Sequence, residues 1–546
     1  MNSHDDTDER EAQETIDSGE QDAPRDGDAA PGVPRLGRAE QPAVYGPAYE
    51  HPEAATDPIA RAADSEVDDN SAVAASRGSD KSTVADASLG PDEPTVVDES
   101  LGLDESTVAD EMATDGGASA AGGDLDPANY DAVDVFDTGD LDLRDGSDSC
   151  YKCSTCDTSC PVAEVDDSFP GPKFQGPEQW RLKRKGDHDI DDSITSCSNC
   201  MRCDSACPSS VPLSQMHNEA RGEYVEEQME KLSSEYIRNR ILSNYRFFAE
   251  LASKTPRLAN FVTGLSVTQW AGEKLLGITS EREFPDFAEE TFREWWRDRG
   301  GAQVQNPEKR VAYFHGCYSN YNTPEVGKAM VRVYEHFGYE VMVPPQKCSG
   351  TPMFANGMLD DARRHAETNV EELVAAIGDG ADVIASCTSC SLSLRQEYPE
   401  LFDIHGIEDV AEHTFESLEY LRIHEDLDGA LADADPDDEE EFAYHAPCHA
   451  RNQGLSRQAV ETFADVDGVT VEDVGDSCSG ISGTYGWKEE KYDYSMEIGA
   501  EMFEHMEDAE GDVGMTECPT CAMQMEHGTG YEIRHPLQVL EATLVD

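Results

Sequence analysis

The sequence predicts an α/β protein in which a duplicated cysteine-rich domain, built on parallel sheets with helices, follows a small α-helical domain of dicluster ferredoxin type. Three observations carry this. The stretches "CYKCSTCDTSC" (150–160) and "CSNCMRCDSAC" (197–207) repeat one cysteine spacing, and each is followed by proline. The chain beyond about residue 306 is a repeat of itself. Within each copy, short apolar runs alternate with amphipathic helical patterns, which implies parallel strands joined by crossover helices.

Residues 1–140 are poor in aromatics and rich in Asp, Glu, Ala, Gly and Ser. They contain the degenerate copies "STVADASLGPDE", "PTVVDESLGLDE" and "STVADEMATDGG". Three short acidic copies cannot bury enough apolar surface to offset chain entropy, so a disordered extension is expected. A docking tail is the alternative reading of the same segment.

Residues 141–215 hold the two cysteine runs, and 216–305 read as helical. In "YVEEQMEKLSSEYIRNRILSNYRFFAELASK", Ile237, Ile241 and Tyr245 recur at helical spacing, and Pro256 and Gly264 then break the pattern. The segment 231–277 departs from the acidity of the rest. Lys231, Arg238, Arg240, Arg246, Lys254, Arg257 and Lys274 outnumber Glu235, Glu250 and Glu273. An amphipathic element on anionic lipid, a subunit interface and a plain helical cap are the three readings. Trp295 and Trp296 are expected to pack rather than relay charge.

The duplication places one cysteine-rich domain at 306–424 and a second at 442–546, joined by an acidic linker at 425–441. "RVAYFHGC" (310–317) matches "EFAYHAPC" (441–448), "KCSGTPM" (347–353) matches "SCSGISG" (477–483), and "ASCTSC" (385–390) matches "TECPTC" (516–521). The offset is 130 or 131 residues at all four cysteines. In the first copy the expected strands are "RVAYF", "YEVMVP" and "DVIAS". The helices "EVGKAMVRVYEHFG" and "LDDARRHAETNVEELVAAIG" end in the stop signals Gly338 and Gly378. Cys317, Cys348 and Cys387 each follow a strand, so they should converge at the C-terminal strand edge where parallel sheets carry their functional loops.

The run C-x2-C-x2-C-x3-C-P is the bacterial pattern for 4Fe–4S clusters, in which the fourth cysteine serves the other cluster. Cys150, Cys153, Cys156 and Cys207 are therefore expected to hold one 4Fe–4S cluster, and Cys197, Cys200, Cys203 and Cys160 the second. Structural zinc is the rival, but it favours separated C-x2-C knuckles. The repeats add Cys317, Cys348, Cys387 and Cys390, then Cys448, Cys478, Cys518 and Cys521. By ligand count each set suits a further iron–sulfur cluster or a zinc ion. His315, His445 and His449 flank these sets and are expected to support them rather than bind metal. Gly350, Gly480 and Gly483 are expected where the backbone comes close to a cluster or turns sharply.

The chain has 41 Lys and Arg against 114 Asp and Glu, a formal charge of −73, which excludes nucleic acid as a partner because phosphate binding needs clustered cations. Excess carboxylate throughout the chain points to a halophile, an archaeon, where molar salt screens charges beyond about 3 Å. An acidic surface for a basic partner is the other reading. No apolar run approaches the roughly 20 residues of a spanning helix. With no secretory signal at the start, a cytoplasmic chain, soluble or peripheral on the membrane, is expected, and clustered cysteines there serve metal rather than disulfides. There is no dinucleotide fingerprint and no Walker loop, so the substrate-oxidising chain that supplies electrons must be a separate one.

The layout resembles the family that takes in heterodisulfide reductase B-type subunits, glycolate oxidase iron–sulfur subunits and the C-type subunits of anaerobic glycerol-3-phosphate dehydrogenase. "FHGCYSNYN" (314–322), "SGTPMFANG" (349–357), "CSGISGTYGWKEEKY" (478–492) and "IRHPLQVL" (533–540) are most similar to the last of these. The resemblance covers about 145–546. It implies an electron-transfer subunit of a membrane-associated glycerol-3-phosphate dehydrogenase. Its partners would be an FAD-containing dehydrogenase chain, one further chain and the membrane quinone. A heterodisulfide reductase-like or glycolate oxidase-type chain is the alternative, and a zinc scaffold the non-enzymatic one. The family pattern has Cys-Cys-Gly and five thiolates per motif around an unusual non-cubane cluster; here Ser349 and Ser479 replace the second cysteine.

Because residues 1–140 carry none of the cysteines, deleting them is expected to leave iron and acid-labile sulfide per chain unchanged. Loss of iron from the truncated protein would give the segment a structural role.

Overall fold

The computed structural model describes residues 149–183, 188–304, 307–432, 434 and 439–545. The expected acidic extension lies outside them.

Each cysteine-rich repeat forms its own four-stranded, all-parallel sheet. The first orders its strands β2-β1-β3-β4, with β1 at Lys309–Phe314, β2 at Tyr339–Met342, β3 at Asp382–Ala385 and β4 at Thr414–Glu416. The second repeats that order as β6-β5-β7-β8, with β5 at Glu440–Tyr444, β6 at Val469–Asp473, β7 at Val513–Met515 and β8 at Glu532–Arg534. Helices cover the sheets, as the alternating pattern requires. The fourth strand of each sheet goes beyond the expected three. At three residues, "TFE" and "EIR" are too short to show a period.

The strand order explains where the cysteines fall. From β1 the chain crosses to β2 on one side and then to β3 on the other. The loops leaving the carboxyl ends of β1 and β3 therefore diverge and leave a crevice between them. Cys317 and Cys387 lie on those two loops. Helix Pro324–His336 buries Val326, Ala329, Met330 and Val333 on one face and stops at Gly338, whose φ is +84°. Helix Leu359–Gly378 runs to the expected glycine, but the left-handed stop is Gly380 at φ +86°.

One core serves both repeats. Val311, Tyr313, Tyr334 and Leu421 of the first share it with Phe442, Tyr444, Phe463, Leu537 and Leu540 of the second. Helix Pro324–His336 packs on the C-terminal helix Pro536–Leu544. Phe292 enters the same core, and Trp295 and Trp296 pack against it, as expected of them. The acidic linker is not all connection. Leu427–Leu431 is helical, both of its leucines join the core, and β5 already begins at Glu440.

Between the cysteine runs and the first repeat lie helices Leu213–Glu223, Ser234–Ser243, Tyr245–Ala252, Pro256–Thr263 and Ser266–Leu276. Pro256 opens one helix and Gly264 closes it. No helix among the described residues is long and apolar enough to cross a membrane.

At Gly480 the φ is +85°, and an added Cβ would lie 2.0 Å from the Ser495 carbonyl oxygen. The close approach there is to the helix Tyr492–Asp508, and the Gly480 N–H also reaches the Cys478 sulfur, as expected. Gly454 has φ +75° with open space around it. Gly480→Ala is expected to cost about 3 kcal/mol or more and Gly454→Ala about 1 kcal/mol, read as unequal drops in the thermal midpoint of the full chain.

Candidate functional site

The two ferredoxin-type runs fold alike, and their backbones show how. Lys152 and Ser154 have φ of +64°, and Asn199 and Met201, at the same offsets from the first cysteine of each run, have φ of +57° and +60°. Left-handed non-glycine residues cost about 1 kcal/mol or more each. Their recurrence marks a loop wrapped tightly enough to turn N–H groups inward. Backbone N–H groups accordingly reach sulfur: that of Thr155 at Cys153 and that of Arg202 at Cys200 help hold those thiols below their ordinary range. Two small cavities result. One is walled by Cys150, Cys153, Cys156 and Cys207, the other by Cys160, Cys197, Cys200 and Cys203. The structure thus brings the last cysteine of each run to the first three of the other.

Two residues around the second cavity are not evident from the sequence. His217 is buried, which pushes it down to about 4. Its Nε2 lies 2.9 Å from the Pro172 carbonyl oxygen, leaving Nδ1 3.8 Å from the Cys197 sulfur. Arg221 is almost fully buried and donates to Asn218, to the Phe354 carbonyl and to the Cys197 carbonyl. Both lie on helix Leu213–Glu223 just past the second run. A buried arginine there is a cation beside thiolates, and only its spacing from the cysteines could have hinted at it.

The repeat cysteines do not form two isolated quartets. Seven of them line one cavity of about 200 Å³: Cys317, Cys348, Cys387 and Cys390 from the first repeat with Cys448, Cys518 and Cys521 from the second. Sulfur contacts run between Cys317 and Cys348, and along Cys390, Cys387, Cys518 and Cys521, crossing from one repeat to the other. The eighth, Cys478, faces away from that cavity and donates to the Cys200 sulfur, drawing Cys200 down to about 5 and raising Cys478. The second ferredoxin-type run abuts both repeats: Cys200 meets Cys478 of the second, and Asn199 donates to Glu397 of the first.

The serines in place of the family's second cysteine occupy equivalent places. Ser349 Oγ lies 3.4 Å from Cys390 Sγ, and Ser479 Oγ lies 3.4 Å from Cys521 Sγ. The Gly350 N–H reaches the Cys348 sulfur, as expected of a glycine at a thiolate. His315 and His445 are buried at strand ends, and His449 Nδ1 lies 2.9 Å from Ser389 Oγ. A buried carboxyl pair, Glu416 and Glu517, ties the repeats together through Gln458, which donates to both. Burial, and then Glu416, pushes Glu517 up to about 8, and Tyr444 donates to it.

Among the described residues no group of three or more Cys, His, Asp or Glu converges as a single ion would require. The sulfurs instead stand in pairs around cavities. Burial pushes Cys156 and Cys448 up to about 12. Such thiols ionise by bonding to metal, with release of their protons. A soft, all-sulfur donor set spread around cavities fits iron–sulfur clusters.

Comparison with known proteins agrees. The family model of the 4Fe-4S dicluster domain matches residues 146–211, and that of the cysteine-rich domain matches 311–395 and 442–526. Fold and site define an iron–sulfur electron-transfer subunit of an oxidoreductase. Over 401 residues the chain is 34% identical to the C subunit of anaerobic glycerol-3-phosphate dehydrogenase of Escherichia coli, covering 73% of this chain and 98% of that protein. It belongs to the family formed by the C subunits of anaerobic glycerol-3-phosphate dehydrogenase. It is also 31% identical to the B subunit of fumarate reductase (CoM/CoB) of Methanothermobacter marburgensis, over 41% of this chain and 42% of that protein. Lactate utilization protein A of an Exiguobacterium species is 30% identical over 35% of this chain and 83% of that protein.

Since each serine touches a cysteine sulfur as a hydrogen-bonding hydroxyl, Ser349→Ala and Ser479→Ala are expected to keep the iron content and to lower the reduction potential of the repeat centres. Iron loss in either variant would instead make the serine a ligand.

Proposed function

We propose that the chain is the iron–sulfur relay of a glycerol-3-phosphate dehydrogenase, receiving electrons from an FAD-containing partner chain and passing them to quinone at the membrane surface. When bound, iron–sulfur clusters take and give electrons one at a time. Cys150, Cys153, Cys156 and Cys207 hold one 4Fe–4S cluster, and Cys197, Cys200, Cys203 and Cys160 hold another. The repeat cysteines, four from each copy, hold further iron–sulfur centres rather than zinc. The observation that carries the reading is the Cys200–Cys478 contact. It joins the ferredoxin-type domain to the second repeat, and the Cys387–Cys518 contact joins the repeats to each other. Gln458, Glu416 and Glu517 lock the two repeats in register, and Arg221 supplies buried positive charge beside Cys197.

The membrane side of the reading rests on surface chemistry. Among the described residues, every exposed large apolar side chain except Tyr151, Ile423 and Val545 lies between Leu232 and Leu275. Phe261 is 65% exposed, Trp270 61% and Leu275 70%. A continuous run of such residues marks an interaction surface. Its charge contributes less than the sequence implied, because Arg238 pairs with Glu490, Arg240 with Asp361, Arg257 with Glu289 and Lys274 with Glu273. The apolar face seats the chain on the cytoplasmic side of the bilayer as a peripheral protein. The acidic surface elsewhere suits a salt-rich, haloarchaeal cytoplasm.

Cys153→Ser or Cys200→Ser is expected to abolish electron delivery to quinone while the flavoprotein partner still reduces an artificial dye. Quinone reduction that survives either change would overturn the relay. Iron and sulfide near about eight per chain indicate two cubes and near about sixteen indicate four, whereas zinc in their place would leave a scaffold.

A further inference from the structure

The exposed apolar helices carry a groove of about 520 Å³, within the ligand-binding range of roughly 300–1,000 Å³. Its walls are Ile237, Ile241 and Phe248, and its floor is Arg246, Lys347 and His365. This mixture is unusual for a surface that otherwise turns its apolar groups outward. The floor leads to the first repeat's thiols: the Arg246 guanidinium bonds to the Cys317 sulfur, and Lys347 precedes Cys348 in the chain. Arg246 Nη1 has no hydrogen-bond partner among the described residues, and the exposed Lys347 lines the same groove. A buried donor without a partner costs about 1–3 kcal/mol, so Arg246 with Lys347 beside it calls for an acceptor that arrives from outside.

We propose that this groove binds the ring of a quinone, with its carbonyl oxygens toward Arg246 and Lys347 and its apolar tail leaving past Phe247 into the membrane. The proposal rests on the quinone reading above and gives that acceptor a place. A quinone ring is flat and apolar with an acceptor oxygen at each end, and these walls and N–H groups complement both features. A phosphate or carboxylate ligand would not need Ile237, Ile241 and Phe248, and an acyl chain alone would leave Arg246 Nη1 and the Lys347 cation without an acceptor. The ring gains two electrons from the chain's electron-transfer centres, one at a time. Two protons come from water entering the open groove, and the product is the quinol. The first repeat is then the part that faces the quinone, because its Cys317 is the sulfur that Arg246 joins to the groove.

The test uses the full chain with its centres assembled anaerobically, and a naphthoquinone bearing one isoprene unit as probe. Binding is measured by equilibrium dialysis, and the reduced chain is reoxidised in parallel by the quinone and by a hydrophilic dye. Ile241→Trp fills the groove and Arg246→Gln removes its charged donor. Each is expected to weaken quinone binding about tenfold or more and to lower the quinone-to-dye rate ratio by a similar factor, Ile241→Trp at unchanged iron per chain. Wild-type binding and ratio in both variants would overturn the groove assignment. Equal loss of quinone and phospholipid binding would assign the groove to an acyl chain and also overturn it. Reduced wild-type chain that no quinone reoxidises would overturn the underlying acceptor reading instead.

Discussion

The thiolate is the chemistry this chain needs, and it is also the form that burial opposes. Of the sixteen cysteines, eight are fully buried and none is fully exposed. Burial alone keeps the protons on Cys156, Cys448 and Cys203. Iron supplies the missing positive charge, and the protein supplies the rest through inward N–H groups and a few buried cations. Lys152, Ser154, Asn199 and Met201 accept left-handed backbone for this reason. Arg221 and Arg246 accept burial or partial burial for the same one. The folded chain and the loaded chain are linked because the charge of each stabilises the other.

Much of this is legible from spacing. The crossed arrangement of Cys160 and Cys207, the duplicated sheets and the strand-end placement of Cys317 and Cys387 follow from local patterns that repeat. What stays hidden depends on distance along the chain. Cys478 meets Cys200 across 278 positions, and no local period encodes that. The seven-cysteine cavity looks like two quartets in the sequence because each repeat, taken by itself, shows four cysteines. Arg221 and His217 are hidden for a different reason: a helix interior of mixed polarity, "LSQMHNEARGE", shows no apolar stripe until its neighbours are known. The charge of 231–277 is plain in the sequence as a local excess, but its carboxylate partners, Glu490 and Asp361 among them, lie elsewhere in the chain.

The duplication is functional as well as architectural. Equivalent residues keep equivalent jobs in some places: Ser349 and Ser479 each sit on the second cysteine of their own C-x2-C pair. In others the copies have diverged. Tyr313 pairs with Ser386, whereas the corresponding Tyr444 pairs with the buried Glu517. Both copies touch both neighbours, but through different residues: among the basic helices Arg240 meets Asp361 of the first copy and Arg238 meets Glu490 of the second, while in the ferredoxin-type run Asn199 meets Glu397 of the first and Cys200 meets Cys478 of the second.

The shared core has a consequence for how the molecule is made. Tyr334 and Met330, in the first repeat, are buried in the same cluster as Leu537 and Leu540, eight and five residues before the last described position, Val545. A ribosome holds the most recent stretch of chain inside its tunnel. The first copy therefore stays open on one side until the helix Pro536–Leu544 has left that tunnel, and its sulfur loops remain within reach of whatever delivers iron until that helix packs against it.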